Sequence, residues 1–187
     1  MRATPDTPAD RVRPLLRVRQ FREFTDQALS AEQLAALVDA ARWSGSAQNS
    51  QPWRFVAIRD IATVRRLGEA GMPQTRGLQT AAAAIAIVLP EQPGMAVSHA
   101  FDEGRAAERI LVAATLLGLG AGISWTRPEN RPAVHAVLGV PEGHVARTIV
   151  AVGYPTEEAS RPRSAPGAAR LPRGEVVFEE SWPEGRA

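Results

Sequence analysis

Three segments of the chain stand out for the chemistry that their residue types could support. In Arg17-Val18-Arg19-Gln20-Phe21-Arg22-Glu23-Phe24, arginines recur every two or three residues around an amide. A guanidinium offers a planar fork of donors that suits bidentate binding of phosphate. In Ser44-Gly45-Ser46-Ala47-Gln48-Asn49-Ser50-Gln51-Pro52-Trp53, nearly every side chain can donate or accept, just ahead of an apolar run. In Gly120-Ala121-Gly122-Ile123-Ser124-Trp125, glycines would let a ligand lie against the backbone. Each has a plainer reading when taken singly: a solvated face, an ordinary loop and a helix C-cap. Residue types alone therefore lead to a soluble α/β domain that binds a phosphate-bearing ligand.

The elements that must position these groups are marked by caps and periodicity. Thr7-Pro8-Ala9-Asp10 reads as a helix start, with Thr7 as cap and Pro8 at the first helical position. Ser30-Ala31-Glu32-Gln33 is a second capping box, followed by Leu34, Leu37, Val38 and Ala41 at helical spacing. A polar loop at 44–51 leads into a strand at 53–58, and Asp60 caps a short helix at 61–70. The continuous apolar run ending at Pro90 reads as a strand buried on both faces. The longest helix is expected over 97–117, with Ile110, Leu111, Ala114 and Leu117 on its buried stripe. Glycines end it before a short extended piece at 123–125. A helix beginning near Pro132 and a strand over 145–152 follow. Beyond Pro155 the composition turns to Arg, Pro, Ser, Gly and Ala, as in an extended arm, and 175–179 is expected to add a last strand. A strand beyond a long arm needs a sheet edge, and a partner subunit's edge is within reach.

Composition narrows the function classes. The chain has 187 residues, 44% of them apolar, which suits one globular domain spanning 1–187 with 156–187 as its arm. No apolar run approaches the roughly 20 residues that cross a bilayer. The absence of cysteine removes disulfides, thiolate metal sites and cysteine nucleophiles, and with no signal-peptide pattern points to the cytoplasm. The calculated pI of 10.2 arises because all 22 basic residues are arginine, while the net charge is only +2. Two arginine clusters, at 11–22 and 161–173, suit a phosphorylated small molecule better than nucleic acid.

In combination, the motifs resemble those of the nitroreductase family. Arg19-Gln20-Phe21-Arg22-Glu23-Phe24-Thr25-Asp26 is similar to that family's N-terminal motif. Ser46-Ala47-Gln48-Asn49-Ser50-Gln51-Pro52-Trp53-Arg54-Phe55 resembles its Pro-Ser-x-x-Asn-x-Gln-Pro-Trp-x-Phe stretch. Ala113-Ala114-Thr115-Leu116-Leu117-Gly118-Leu119-Gly120, Leu138-Gly139-Val140-Pro141-Glu142 and Gly153-Tyr154-Pro155 match further elements in order. The resemblance implies an α+β fold, with a central, mostly antiparallel sheet flanked by helices. It also implies an intertwined homodimer with FMN at the interface, and a C-terminal strand exchanged between subunits.

Carried over by position, Arg19 and Gln20 take the places of phosphate-binding residues, and Arg22 falls where a basic residue lies beside the flavin ring. Ser46, Ala47 and Asn49 would reach the flavin from the other subunit. Ile123, Ser124 and Trp125 would pass its edge, and Arg170 matches a C-terminal basic residue that closes on the phosphate. No side chain is assigned as acid or base, and His99, His135 and His144 read as surface or structural residues. The chain departs from the pattern at Val18, where a second arginine is common, at Gln20 in place of serine, and at Gly45 in place of proline. Gln74, Thr75 and Arg76 are the nearest candidates for further flavin contacts. Short segments at 71–79 and 91–96 imply an open active site. The implied activity is FMN-dependent transfer from NAD(P)H, by a ping-pong mechanism, to an electron-poor acceptor such as a nitroaromatic or quinone. A specialised biosynthetic flavoenzyme and a non-catalytic FMN-binding protein are the alternatives on the same fold.

Overall fold

The structure, a computed structural model, describes residues 7–162, 164 and 170–183. Both anticipated capping boxes form. Thr7 caps α1 (Pro8–Leu16) with Asp10 as its reciprocal partner, and Ser30 caps α2 (Ala31–Arg42) with Gln33. The Gln33 carboxamide also donates to the Tyr154 hydroxyl at 2.9 Å, so this cap ties the helix to the far side of the chain. β1 (Arg54–Ile58) and α3 (Ile61–Glu69) follow, the helix capped by the Asp60 carboxylate accepting from the Thr63 N–H. Then come β2 (Ala83–Pro90), the 21-residue α4 (Ala96–Leu116) and β3 (Gly120–Trp125). α5 (Arg131–Leu138), β4 (His144–Gly153), α6 (Glu157–Ser160) and α7 (Arg173–Val176) complete the order.

The four strands lie in the order β1-β2-β4-β3, with every neighbouring pair antiparallel. The architecture is therefore α+β, as expected. β2 explains its own unbroken apolar run. Ala83, Ile85, Ile87 and Leu89 face a core shared with Leu34 and Leu37 of α2 and Ile110 and Ala114 of α4. Ala84, Ala86 and Val88 face a second core shared with Val64 and Leu67 of α3 and Val134 of α5. Full burial of each large aliphatic side chain contributes roughly 1.5–3 kcal/mol. No helix of the described residues is long and apolar enough to cross a membrane.

Two expectations are corrected. β3 begins at Gly120, before the piece expected at 123–125, because the Leu119 N–H closes α4 on the Ala114 carbonyl and releases the following glycines into the sheet. In the single chain, the segment at 175–179, expected to be a strand, is not one. Arg173–Val176 is a single helical turn, and Val177 at its end is extended. A strand is stable only beside an edge that completes its ladder, and no strand of the described residues pairs with this segment.

Removing the α2 cap tests the local account. Ser30→Ala is expected to cost about 1 kcal/mol, read as a lowered urea midpoint with an unchanged slope.

Candidate functional site

The outer edge of β3 is where the arginine-rich segment docks. Gln20 bridges Ala121 in parallel fashion, and the Phe21 N–H donates to the Ala121 carbonyl at 2.8 Å. This approach requires Gly122, since a Cβ there would overlap the Phe21 carbonyl oxygen. The Gln20 side-chain oxygen then accepts from the Ile123 N–H at 3.0 Å and lies 3.5 Å from an Arg22 guanidinium nitrogen. A residue longer than serine thus satisfies an edge amide that no strand covers.

Around this edge opens a cleft of about 370 Å³, walled by Arg19, Gln20, Phe21, Arg22, Glu23 and Arg76. Arg76 forms an ion pair with Glu23, which brings one of the three candidates from the 71–79 segment into the cleft. Arg19 is in the wall, with its guanidinium 4.6 Å from the Phe21 ring centroid. It donates to the carbonyls of Ala159 at 3.1 Å, Ser160 at 2.5 Å and Arg161 at 3.3 Å. In this arrangement Arg19 ties the last turn of α6 to the cleft. Ser124 is buried, and its hydroxyl donates to the Gln74 carbonyl at 3.0 Å, joining β3 to the 71–79 segment. Trp125 is 43% exposed, with the Arg127 guanidinium 5.3 Å from its ring. Arg170 lies exposed on the segment that enters α7.

The remaining expected residues form a second group. The Ser46 hydroxyl accepts from the Gln51 N–H at 2.9 Å. The Ala47 N–H lies 3.2 Å from each carboxylate oxygen of Asp102 on α4. Gln48, Asn49 and Gln51 have φ of 52°, 54° and 48°, a left-handed backbone that L-residues seldom adopt. Gly45 faces the Arg105 guanidinium, which stands where a side chain at that position would project. The departure from proline here therefore has a steric counterpart on α4.

The loop at 44–51 leads into β1, at one edge of the sheet, whereas the cleft lies along β3 at the other. Three strand spacings separate these edges, roughly 14 Å. The structure brings Arg19, Gln20, Arg22 and Ile123 together, and it holds Ser46, Ala47 and Asn49 apart from them. α4 also presents Val97, Phe101 and Leu116 to solvent at 74%, 71% and 72% exposure. With Leu15 of α1 and Ala40 of α2 its middle turns line an apolar groove of about 700 Å³. An apolar stripe of this extent is the kind of surface that associates with another chain.

Three charged residues of α4 escaped the sequence reading: Asp102, Glu103 and Arg105. A signal was present, since Asp102 and Glu103 sit three or four residues before Ala106 and Ala107, on the helix's buried stripe. Burial pushes the Glu103 carboxyl above its ordinary value near 4.5, against the opposing pull of Thr148 and of the Arg147 guanidinium, 3.7 Å away. The folded protein therefore retains a proton that the unfolded chain releases, and this group's contribution to stability declines as pH rises above about 4.5. Glu103→Gln is expected to be more stable than the parent at pH 7, with the difference shrinking towards pH 4 in urea melts. The histidines lie outside the cleft, with His99 buried on α4 and His135 and His144 half-buried.

Comparison with known proteins bears on the family and the fold. A profile for the Nitroreductase family matches residues 18–95. A protein of Archaeoglobus fulgidus named as an NADH dehydrogenase/NAD(P)H nitroreductase is 33% identical over 148 residues, covering 75% of this chain and 82% of that one. A 5,6-dimethylbenzimidazole synthase of Rhodospirillum rubrum is 27% identical over 169 residues, covering 75% of this chain and 79% of that one. Among solved structures, a nitroreductase of B. subtilis superposes with a TM-score of 0.79 at 22% identity, over 92% of this chain and 75% of that one.

Proposed function

Because the chain belongs to the nitroreductase family, we propose that it is an FMN-dependent NAD(P)H oxidoreductase whose two cofactor sites form between the subunits of a homodimer. The observation that carries this reading is the separation of the expected site residues onto opposite sheet edges. A second chain, docked on the exposed stripe of α4, can bring the loop at 44–51 of one subunit to the β3 cleft of the other.

The residues present fit an FMN. Arg22 and Arg76 supply permanent positive charge to the cleft, and Gly122 keeps the β3 edge free of a side chain where the chain passes closest. Arg19 and Gln20 would hold the phosphate end, joined by Arg170 from the arm. Ile123, Ser124 and Trp125 would border the ring with backbone, and Ser46, Ala47 and Asn49 would come from the partner chain. Bound there, the flavin supplies hydride and electron transfer between NAD(P)H and an electron-poor acceptor, such as a nitroaromatic or quinone, in ping-pong order.

The chain's own task is to bind, orient and polarise. Arg22 would set a cation beside the negative charge that grows on reduction. Exposed Trp125, with the Arg127 guanidinium over its ring, would offer a flat surface to an aromatic acceptor or donor. In this reading no side chain of the cleft is assigned proton exchange. The cysteine-free composition suits a reducing compartment, and we assign the protein to the cytoplasm. The C-terminal segment would act as an arm over the partner, where a foreign sheet edge could supply the ladder that 175–179 lacks.

The R. rubrum relative's name favours a second reading, a biosynthetic flavoenzyme on the same fold. Anaerobic titration separates the two. The oxidoreductase is expected to bind FMN, be bleached by NADH or NADPH, and regain its absorbance on adding menadione or nitrofurazone. Bound FMN that neither nicotinamide reduces would support the biosynthetic reading, and failure to take up FMN would reject both. Arg22→Ala is expected to weaken FMN binding by roughly tenfold or more, as loss of one charged hydrogen-bonding group does, measured by quenching of flavin fluorescence.

A further inference from the structure

We infer that Asp102 is a positioning residue, which fixes the strained loop at 44–51 in the shape a cofactor needs. The inference rests on the reading of that loop as a half-site, and it assigns a role to a helix residue outside every motif of the sequence. The loop's internal hydrogen bonds close on themselves: Gln51 N–H to the Ser46 hydroxyl at 2.9 Å, and Asn49 N–H to the Ser46 carbonyl at 3.1 Å. Such bonds shape the loop without placing it on the molecule. The Ala47 N–H, 3.2 Å from both Asp102 oxygens, is the hydrogen bond that attaches it to α4.

Two facts make this bond more than a packing accident. Asp102 is only 2% exposed, and a buried carboxylate without a donor would be costly, so the Ala47 amide and the carboxylate each satisfy the other. The loop also has to be held, because Gln48, Asn49 and Gln51 occupy a left-handed backbone region from which an unrestrained chain would relax. A charge-assisted bond at the loop's first helical residue acts just where the left-handed run begins. Asp102 is moreover next to Phe101, one of the exposed apolar residues of α4. The same helical turn thus carries the loop on one side and the exposed apolar stripe on the other, so the proposed assembly and the loop geometry share a support.

The test combines amide exchange with flavin binding on the full chain. Asp102→Ala is expected to speed hydrogen exchange across 44–51 by about tenfold while leaving the β2 and β4 amides protected. It is also expected to raise the dissociation constant for FMN by about tenfold, with sedimentation still giving a dimer. Asp102→Asn, which keeps an acceptor oxygen, should restore both values to within about threefold of the parent. Should the alanine form fail to fold, Asp102→Ser, too short to reach Ala47, is read in its place. An unchanged FMN dissociation constant in a folded variant lacking the bond overturns the inference, as does failure of Asp102→Asn to restore it. If the parent itself binds no FMN, the proposed function fails instead. The exchange measurement alone then decides whether Asp102 holds the loop.

Discussion

Double burial of the central strands constrains everything else in this molecule. β2 and β4 have apolar side chains on both faces, one set under α2 and α4 and the other over α3 and α5. Such a sheet has no solvated face on which polar chemistry could be built. The candidate ligand-binding groups therefore lie at the two sheet edges and in the loops that enter them. The β3 edge gains the arginine-rich segment, and the β1 edge gains the loop at 44–51. A sheet's edges are separated by its full width, and the proposed dimer would bring an edge of each subunit to one site.

The edges are secured in different ways. At β3, side chains finish what backbone cannot: Gln20 accepts from an edge amide, and Arg19 gathers three carbonyls at the end of α6. At β1, the backbone adopts an unfavourable conformation, and α4 holds it there through Asp102. Arginine suits the first task because one planar fork reaches several carbonyls at once, which a lysine ammonium does less well. In a chain whose basic residues are all arginine, the residue type imposes little, and placement decides which cations are structural and which remain for a ligand.

Much of this was legible in the sequence for physical reasons. Capping boxes announce themselves because a hydroxyl and a carboxyl or carboxamide three residues apart satisfy each other locally, as Thr7 with Asp10 and Ser30 with Gln33 do. The run ending at Pro90 was readable as a doubly buried strand from length and apolarity. The motifs also named the segments that meet at β3. What stayed hidden was long-range. Asp102 and Ala47 are 55 residues apart, and nothing local in either segment marks their meeting. Arg19 looks the same in sequence whether it awaits a phosphate or holds carbonyls 140 residues away. The extent of β3 was missed because its glycines serve an approaching chain, Phe21, which spacing along β3 cannot reveal. The segment at 175–179 has strand-forming residues but pairs with no strand of the described residues, so propensity without a ladder left a helical turn at Arg173–Val176.

One consequence of β2 lies in how the sheet selects its register. A strand that is apolar on both faces has lost the usual signal, since slipping by one residue would bury nothing polar. Size replaces polarity here. Beyond Ala83, the face towards α2 and α4 carries Ile85, Ile87 and Leu89, while the face towards α3 and α5 carries the much smaller Ala84 and Ala86 before Val88. A one-residue slip would drive branched chains into space shaped for methyl groups and leave voids opposite them, and close-packed interiors tolerate neither. Those two alanines act as a steric proofreader, so that a strand with no polar side to read is still admitted in only one frame.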